Sequence, residues 1–256
     1  MKPSKTFERW SPLLLAGVLL LLWQAVCALF KIPDYIFPSP WQIGQSFAEF
    51  SGPIFEAAWK TFWVTMLGFG LSIVVGVLLG FLVGSSRAAY AALYPLMVAF
   101  NAVPKAAVVP ILVVWFGIGL GPGIITAFLI SFFPITVNIA TGLATLEPEL
   151  EDVLRVLGAK RWDVLVKVGL PRSMPYFYGS LKIAITLAFV GTVLAEMTAG
   201  DSGIGSLMQT AGSQQRMPLA FAGLVTIGLM AMAMYELFSW VEMRTTAWAH
   251  RGSQAT

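Results

Sequence analysis

The sequence predicts an all-α integral membrane protein with six transmembrane helices. Hydrophobic residues make up 57% of the 256 residues and charged residues only 11%, which is more apolar than a soluble domain can bury in its core. The apolar runs reach about 20 residues, the length that spans a bilayer, and glycine, proline or charged residues separate them. Six spans with short connections fill the chain, so we expect one transmembrane domain over residues 1–256.

The spans follow from these runs in chain order. The first run follows Lys2, Lys5 and Arg9, as in a signal peptide, but it is long enough to cross the membrane, so we expect an uncleaved first helix. The third run is interrupted, and the second repeats a glycine at Gly76, Gly80 and Gly84, on one helical face, which favours close helix packing within the bundle. The six predicted spans are residues 12–30, 61–84, 91–117, 123–143, 179–199 and 219–241.

Basic residues predict the orientation of these spans. With the N-terminus in the cytoplasm, about twelve of the 16 Lys and Arg residues lie on the cytoplasmic side or near it, as the positive-inside bias requires. The remaining four are Lys31, Lys60, Lys105 and Arg216. We therefore expect both termini and the connection at about 144–178 to be cytoplasmic. This bias also accounts for the net charge of +3, so nucleic acid is not an expected partner.

Polar residues within two spans are candidates for a translocation path. The third span contains Asn101, Pro104, Lys105 and Pro110, and its prolines free backbone groups that lipid cannot satisfy, so the break should face protein or a watery cavity. Glu196 lies in the fifth span, and ionisable groups within a membrane are costly enough to suggest a function. Two structural alternatives stay open, because the lysine could reach toward the membrane surface and Glu196 could form a pair near its helix end.

The connection between the fourth and fifth spans carries two helical patterns. Residues 148–157 begin with proline and acidic residues, which favour a helix start, and Gly158 supplies a stop. Residues 161–168 form a second pattern, with Gly169 and Pro171 as its expected end. A helix of about ten residues is marginal alone in water, so this segment must pack on a partner or on the membrane surface. The pattern alone leaves both open.

The same segment carries a triplet at residues 152–154, then after three residues Gly158-Ala159, and finally Leu170-Pro171. At this spacing the segment resembles the EAA loop of binding-protein-dependent ABC importer permeases. Asp152 replaces the glutamate of the triplet, and Val153 and Leu154 replace its two alanines.

Further stretches extend the resemblance to about residues 35–245. Residues 37–40, 101–105, 110–117, 195–196 and 202–205 are similar to the branch that carries nitrate, sulfonates, taurine and bicarbonate, and that includes carriers of vitamin precursors.

The resemblance implies the type I ABC importer permease (MetI-like) fold and a multi-pass protein of the bacterial inner membrane. It implies a partner ATPase that binds ATP and Mg, a second permease copy, as a homodimer, and an external substrate-binding protein. The candidate path residues remain those that the broken span and the intramembrane charges indicate, Asn101, Pro104, Lys105 and Glu196. The implied ATPase-coupling residues are Glu151, Asp152, Val153, Leu154, Gly158, Ala159, Lys160, Arg161, Leu170 and Pro171.

The chain should therefore be a non-catalytic subunit. It contains no Gly-x-x-x-x-Gly-Lys-Ser/Thr loop, so we expect no nucleotide or other cofactor in this chain. His250 and Cys27 are the only residues of their types, so neither a metal site nor a histidine-based enzyme is expected. The alternative is an ATP-independent secondary transporter or channel, but internal repeats and several intramembrane ionisable groups are typical of secondary transporters, and neither is evident here.

Overall fold

The computed structural model describes residues 5–144, 156–158, 161–199 and 202–246. In these residues the regular elements are helices, which we number α1 to α10 in chain order. They are α1 (Lys5–Leu29), α2 (Pro40–Glu49), α3 (Ser51–Gly84), α4 (Arg87–Ala102), α5 (Lys105–Phe116), α6 (Leu120–Ala144), α7 (Arg161–Val164), α8 (Leu170–Ala199), α9 (Ile204–Ser213) and α10 (Met217–Thr245).

The prediction of six spans with one interruption agrees with the described residues. The helices α1, α3, α6, α8 and α10 are each long and apolar enough to cross a bilayer. The helices α4 and α5 meet at an angle of 80° and are long and apolar enough only as a pair, either as a broken span or as a re-entrant loop, so the described residues hold five spans, or six when this pair counts as one. Helices α2 and α9 are too short to span the membrane and connect neighbouring spans.

The core of the bundle is formed by α3, α6 and α8, with α6 packed between the other two. The predicted glycine face of α3 is confirmed, since it lies directly on α6. A Cβ atom at Gly80 would lie 2.7 Å from the Cβ of Ile139, and one at Gly76 would lie 2.9 Å from the Cβ of Ile135. Real Cβ atoms do not approach this closely, so the glycines allow the two backbones to come together.

The first span lies at the edge of the bundle. Only 6% of its most apolar stretch is buried within the chain. Among the described helices α1 packs mainly on α2, and its Trp23 ring lies 6.3 Å from the Phe221 ring of α10. The backbone N–H of Trp41 donates to Gln24 Oε1 at 3.1 Å, which ties the start of α2 to α1. The helix α2 begins with a capping box in which Ser39 and Gln42 satisfy each other's backbone N–H groups, as expected for a stable short helix.

The segment that leads into α8 differs from the sequence prediction. We expected a helix over 161–168 that ends at Gly169 and Pro171, but the helix does not end there. It continues from α7 through a π-helical turn, Leu165–Gly169, directly into α8. Proline removes one backbone N–H and its ring crowds the carbonyl four residues earlier. A wider π turn just before Pro171 accommodates both effects, so the helix continues.

Candidate functional site

The predicted ATPase-coupling segment is described only in part. Glu151, Asp152, Val153, Leu154, Ala159 and Lys160 lie outside the described residues, as does most of the predicted helix over 148–157. Gly158 lies in a turn with a φ of +87°, and no described residue comes within 4 Å of a Cβ built there. The expected stop at Gly158 is therefore confirmed, because this left-handed backbone favours glycine.

Three further residues of the predicted segment lie on the continuous helix. Leu170 is the first residue of α8 and Pro171 the second, and both are exposed. Arg161 begins α7. From Arg161 to the start of α8 the chain is helical throughout.

Lys105, the first residue of α5, connects the two sides of the bend between α4 and α5. The ammonium of Lys105 donates to the backbone carbonyl and, at 2.9 Å, to the side-chain oxygen of Asn101, and also to the Phe100 carbonyl at 3.3 Å. These carbonyls belong to the last turn of α4, whose dipole favours a cation, and the Phe100 carbonyl also accepts from the Val103 N–H at 3.3 Å. Asn101 and Pro104 are exposed at this bend.

Only one of the two prolines breaks this span. The chain bends at Val103 and Pro104, whereas Pro110 lies within α5. The expectation that Pro110 also interrupts the helix was wrong. Pro110 is in the second turn of α5, where the loss of one backbone hydrogen bond is tolerated because the remaining apolar turns pack on α6 and α8.

Glu196 lies in a buried polar cluster at the end of α8. The Thr61 hydroxyl of α3 donates to its carboxylate, with distances of 2.8 Å and 2.9 Å to the two oxygens. The backbone N–H of Gly205 donates to Glu196 Oε2 at 2.9 Å, and the N–H of Ile204 donates to Thr61 Oγ1 at 2.8 Å. The Glu196 carboxylate and the Thr61 hydroxyl thus accept from the first N–H groups of α9. The N-terminus of a helix is a place where negative charge is favoured.

Two glycines make this close approach possible. Gly203 has a φ of +93°, and a Cβ there would overlap the Glu196 carboxylate. At Gly205 a Cβ would lie 2.6 Å from the Val193 carbonyl oxygen. The pairing of Glu196 near its helix end was one of the alternatives left open by the sequence. Thr61 was missed because it is 135 residues away, although two glycines soon after an intramembrane carboxylate signal such a contact.

The predicted path residues form two separate polar groups. Lys105 donates to residues at the end of α4, whereas Glu196 accepts from α3 and α9. Glu196 also borders a small pocket lined by Lys60, Gly119, Gly123 and Ser202. Among the described residues, no group of three or more His, Cys, Asp or Glu side chains is placed to hold a metal ion.

Comparison with known proteins decides the family. Residues 72–245 match the family model described as the binding-protein-dependent transport system inner membrane component. The chain belongs to this family. It is therefore a permease of a binding-protein-dependent ABC importer, a multi-pass protein of the bacterial inner membrane and a non-catalytic transport subunit.

Relatives cover nearly the whole permease. A riboflavin transport system permease protein from Chloroflexus aurantiacus is 32% identical over 90% of this chain and 87% of its own length. A nitrate import permease protein from Leptolyngbya laminosa is 30% identical over 94% of this chain and 89% of its own length.

A solved structure supports the fold. The chain resembles a chain of the inward-facing MetNI methionine ABC transporter with a TM-score of 0.64 at 18% identity, covering 75% of this permease and 96% of that chain. The expected type I importer permease fold is confirmed.

Proposed function

We propose that this permease forms the path for a small solute that an external binding protein delivers, with ATP hydrolysis by a separate subunit driving the transport. The observation that carries the proposal is the family match over residues 72–245, to inner membrane components of binding-protein-dependent transport systems. Two permease copies would enclose the path, as a homodimer, with both termini in the cytoplasm as the basic residues favour.

The ATPase would dock on the segment that carries Gly158. The glycine turn is exposed, and from Arg161 onward α7, the π turn and α8 form one helical element. A short rigid segment at a subunit surface transmits displacement to the helix that follows it. This geometry supports a coupling role for residues 151–154, 158–161, Leu170 and Pro171.

The path would run beside the bend between α4 and α5. Asn101 and Pro104 are exposed there within a span, and Lys105 brings a positive charge to the same place. Non-helical backbone at membrane depth is tolerated where it faces protein or a water-filled cavity. Glu196 would contribute from the pocket that it shares with Lys60 and Ser202.

The cargo would be a sulfonate, taurine, nitrate or bicarbonate, or a vitamin precursor. The similarity is about equal to a relative named for riboflavin and to one named for nitrate, so it does not choose between a heterocycle and an inorganic anion. In a transporter of this kind the external binding protein performs much of the selection, so ligand binding by that protein identifies the cargo.

Reconstitution tests the proposed function. Proteoliposomes with the permease, its co-purifying ATPase and the external binding protein should accumulate the ligand of that binding protein only when ATP is supplied. An ATPase variant that lacks its phosphate-binding lysine is the control and should abolish uptake. Uptake by the permease alone, driven by a proton or sodium gradient, would contradict the proposal and favour a secondary transporter.

The path assignment predicts an effect of Lys105. In the same proteoliposomes Lys105→Ala should lower uptake roughly ten-fold, because the carbonyls at the end of α4 lose their cation and the bend loses its shape. Lys105→Arg, which keeps the charge and the donors, is the matched control and should retain most of the uptake. If Lys105→Ala transports with wild-type rate and selectivity, the path does not pass this bend.

A further inference from the structure

An ion pair joins α8 to α10 within the membrane-spanning part of the bundle. The ammonium of Lys182 lies 2.6 Å from Glu242 Oε2, and the two side chains are only 18% and 12% exposed. Lys182 Nζ also lies 5.7 Å from the centre of the Tyr235 ring. Tyr235 and Glu242 are two helical turns apart on α10, so both face α8 at the same place. By the charge pattern alone Lys182 is one of the cytoplasmic basic residues.

The position of the pair along α8 is informative. Lys182 lies twelve residues after Leu170, about 18 Å along the helix. Glu242 lies in the last turn of α10, and its backbone carbonyl accepts from both the N–H and the hydroxyl of the fully buried Thr246. The ion pair therefore fixes the end of α10 to a point on the helix that continues from the proposed coupling segment.

The surrounding α8–α10 interface is apolar. Leu181, Ile185 and Phe189 of α8 belong to the same core cluster as Ala231 of α10, with Met234 and Phe238 packed against it. Apolar contacts are not directional, so they hold the two helices together without defining how far one has moved along the other. A buried ion pair does define that register, because separating its charges in a low-dielectric environment is costly.

Glu196 forms a second polar contact between α8 and a neighbouring helix, further along α8. Its carboxylate, fourteen residues after Lys182 and about 21 Å further along α8, holds the start of α9, which in turn packs against α10. The helices α8, α9 and α10 are thus joined by polar contacts at two places on α8. Both contacts favour movement of α9 and α10 together with α8 over sliding of one helix along another.

We propose that Lys182 and Glu242 are positioning residues that make α10 follow α8 when the ATPase moves the coupling segment. This inference rests on the proposed function, because it assigns the pair a place in the transmission from ATPase to path. The pair touches neither ATP nor cargo, so its loss should change the amount of substrate carried per ATP hydrolysed rather than the affinity of the binding protein for its ligand.

The test measures substrate imported per ATP hydrolysed in the proteoliposomes described above. Lys182→Met and Glu242→Gln should each lower this ratio about five-fold, within the range by which single residues alter coupling. The charge-reversed variant Lys182→Glu/Glu242→Lys should recover most of the ratio, because it restores the attraction. Glu236→Gln is the matched control, since it makes the same substitution at an exposed carboxylate of α10 and should leave the ratio unchanged.

A second variant separates coupling from stability. The doubly substituted variant Lys182→Met/Glu242→Leu should fold as well as the wild type, because apolar residues of similar volume can replace a buried ion pair without loss of stability. Its ratio should nevertheless stay low, because no charges define the register. A wild-type ratio in this variant, or a well-folded charge-reversed variant whose ratio stays as low as that of the single variants, would overturn the proposal. Failure of the wild-type complex to transport would instead refute the proposed function.

Discussion

Gly158→Trp should abolish uptake while ATP hydrolysis continues. In proteoliposomes we expect the variant to insert and to associate with lipid as the wild type does, with uptake reduced at least about a hundred-fold. The ATPase subunits should still hydrolyse ATP, because their nucleotide sites lie outside this chain. Uptake of the labelled ligand and release of phosphate, measured on the same preparation, give the two rates.

The reason lies in the backbone and the surroundings of Gly158. Its φ of +87° disfavours any residue with a Cβ, at a cost of about 1–2 kcal/mol. Nothing lies within 4 Å of a Cβ built at this position, so the indole does not disturb the permease's own described packing. The indole projects instead into the space where we place the ATPase. It should hold the ATPase away from this turn, so that movement of the ATPase no longer reaches α8.

Three control variants separate strain from bulk. Gly158→Asn tolerates the left-handed backbone with a small side chain and should retain most of the uptake, whereas Gly158→Ala adds strain without bulk and should have an intermediate effect. Gly117→Trp places the same side chain at another exposed glycine with a φ of +76° and open surroundings, at the opposite end of α6. That variant should import as much ligand per ATP hydrolysed as the wild type. Normal transport by a well-inserted Gly158→Trp would remove the basis for docking at this turn.

The spans could be predicted from sequence because lipid enforces a simple rule. Each backbone polar group within the bilayer must be satisfied internally, so long apolar runs such as residues 123–143 have one possible conformation, a helix. The close packing at Gly76 and Gly80 was predictable for a related reason, since a repeat every four residues defines one face. These features depend on residues close in sequence.

The remaining features depend on contacts between distant residues. Helices α2 and α9 are short and contain no long apolar run, so the apolar pattern does not reveal them. The hydrogen bond between Thr61 and Glu196 joins residues 135 positions apart, and the pair Lys182 and Glu242 joins residues 60 positions apart. The helix that continues through Pro171 was missed because proline usually marks a helix end, and only the π turn before it makes the continuation possible.

The contact between Glu196 and α9 predicts the largest loss of stability. Glu196→Ala should lower the free energy of unfolding in detergent by about 3 kcal/mol, because it leaves the Thr61 hydroxyl and the Gly205 N–H without a partner and opens a small cavity. Denaturant unfolding gives the free energy. Hydrogen exchange at Ile204 and Gly205 gives the local effect, and both amides should exchange faster.

Two matched variants localise this effect. Thr61→Val has nearly the same shape but no hydroxyl, so the Ile204 N–H loses its acceptor and stability should fall by about 1–2 kcal/mol. Thr61→Ser keeps the hydroxyl and should lose less. Glu56→Gln, on the same helix as Thr61 but exposed, should change stability by less than about 0.5 kcal/mol. Equal exchange rates at Ile204 and Gly205 in Glu196→Ala and the wild type would contradict the capping role.

Glu196→Gln then separates the capping role from a role in the path. The amide oxygen still accepts from the Gly205 N–H and the Thr61 hydroxyl, so we expect a loss of only about 1 kcal/mol. If the carboxylate also borders the path, the loss of its charge should alter uptake of an anionic cargo while the fold is retained, because a fixed charge beside a permeation route acts on every passing ion. Wild-type uptake and selectivity in a stable Glu196→Gln permease would mean that Glu196 only caps α9. The path would then be placed at the bend near Lys105.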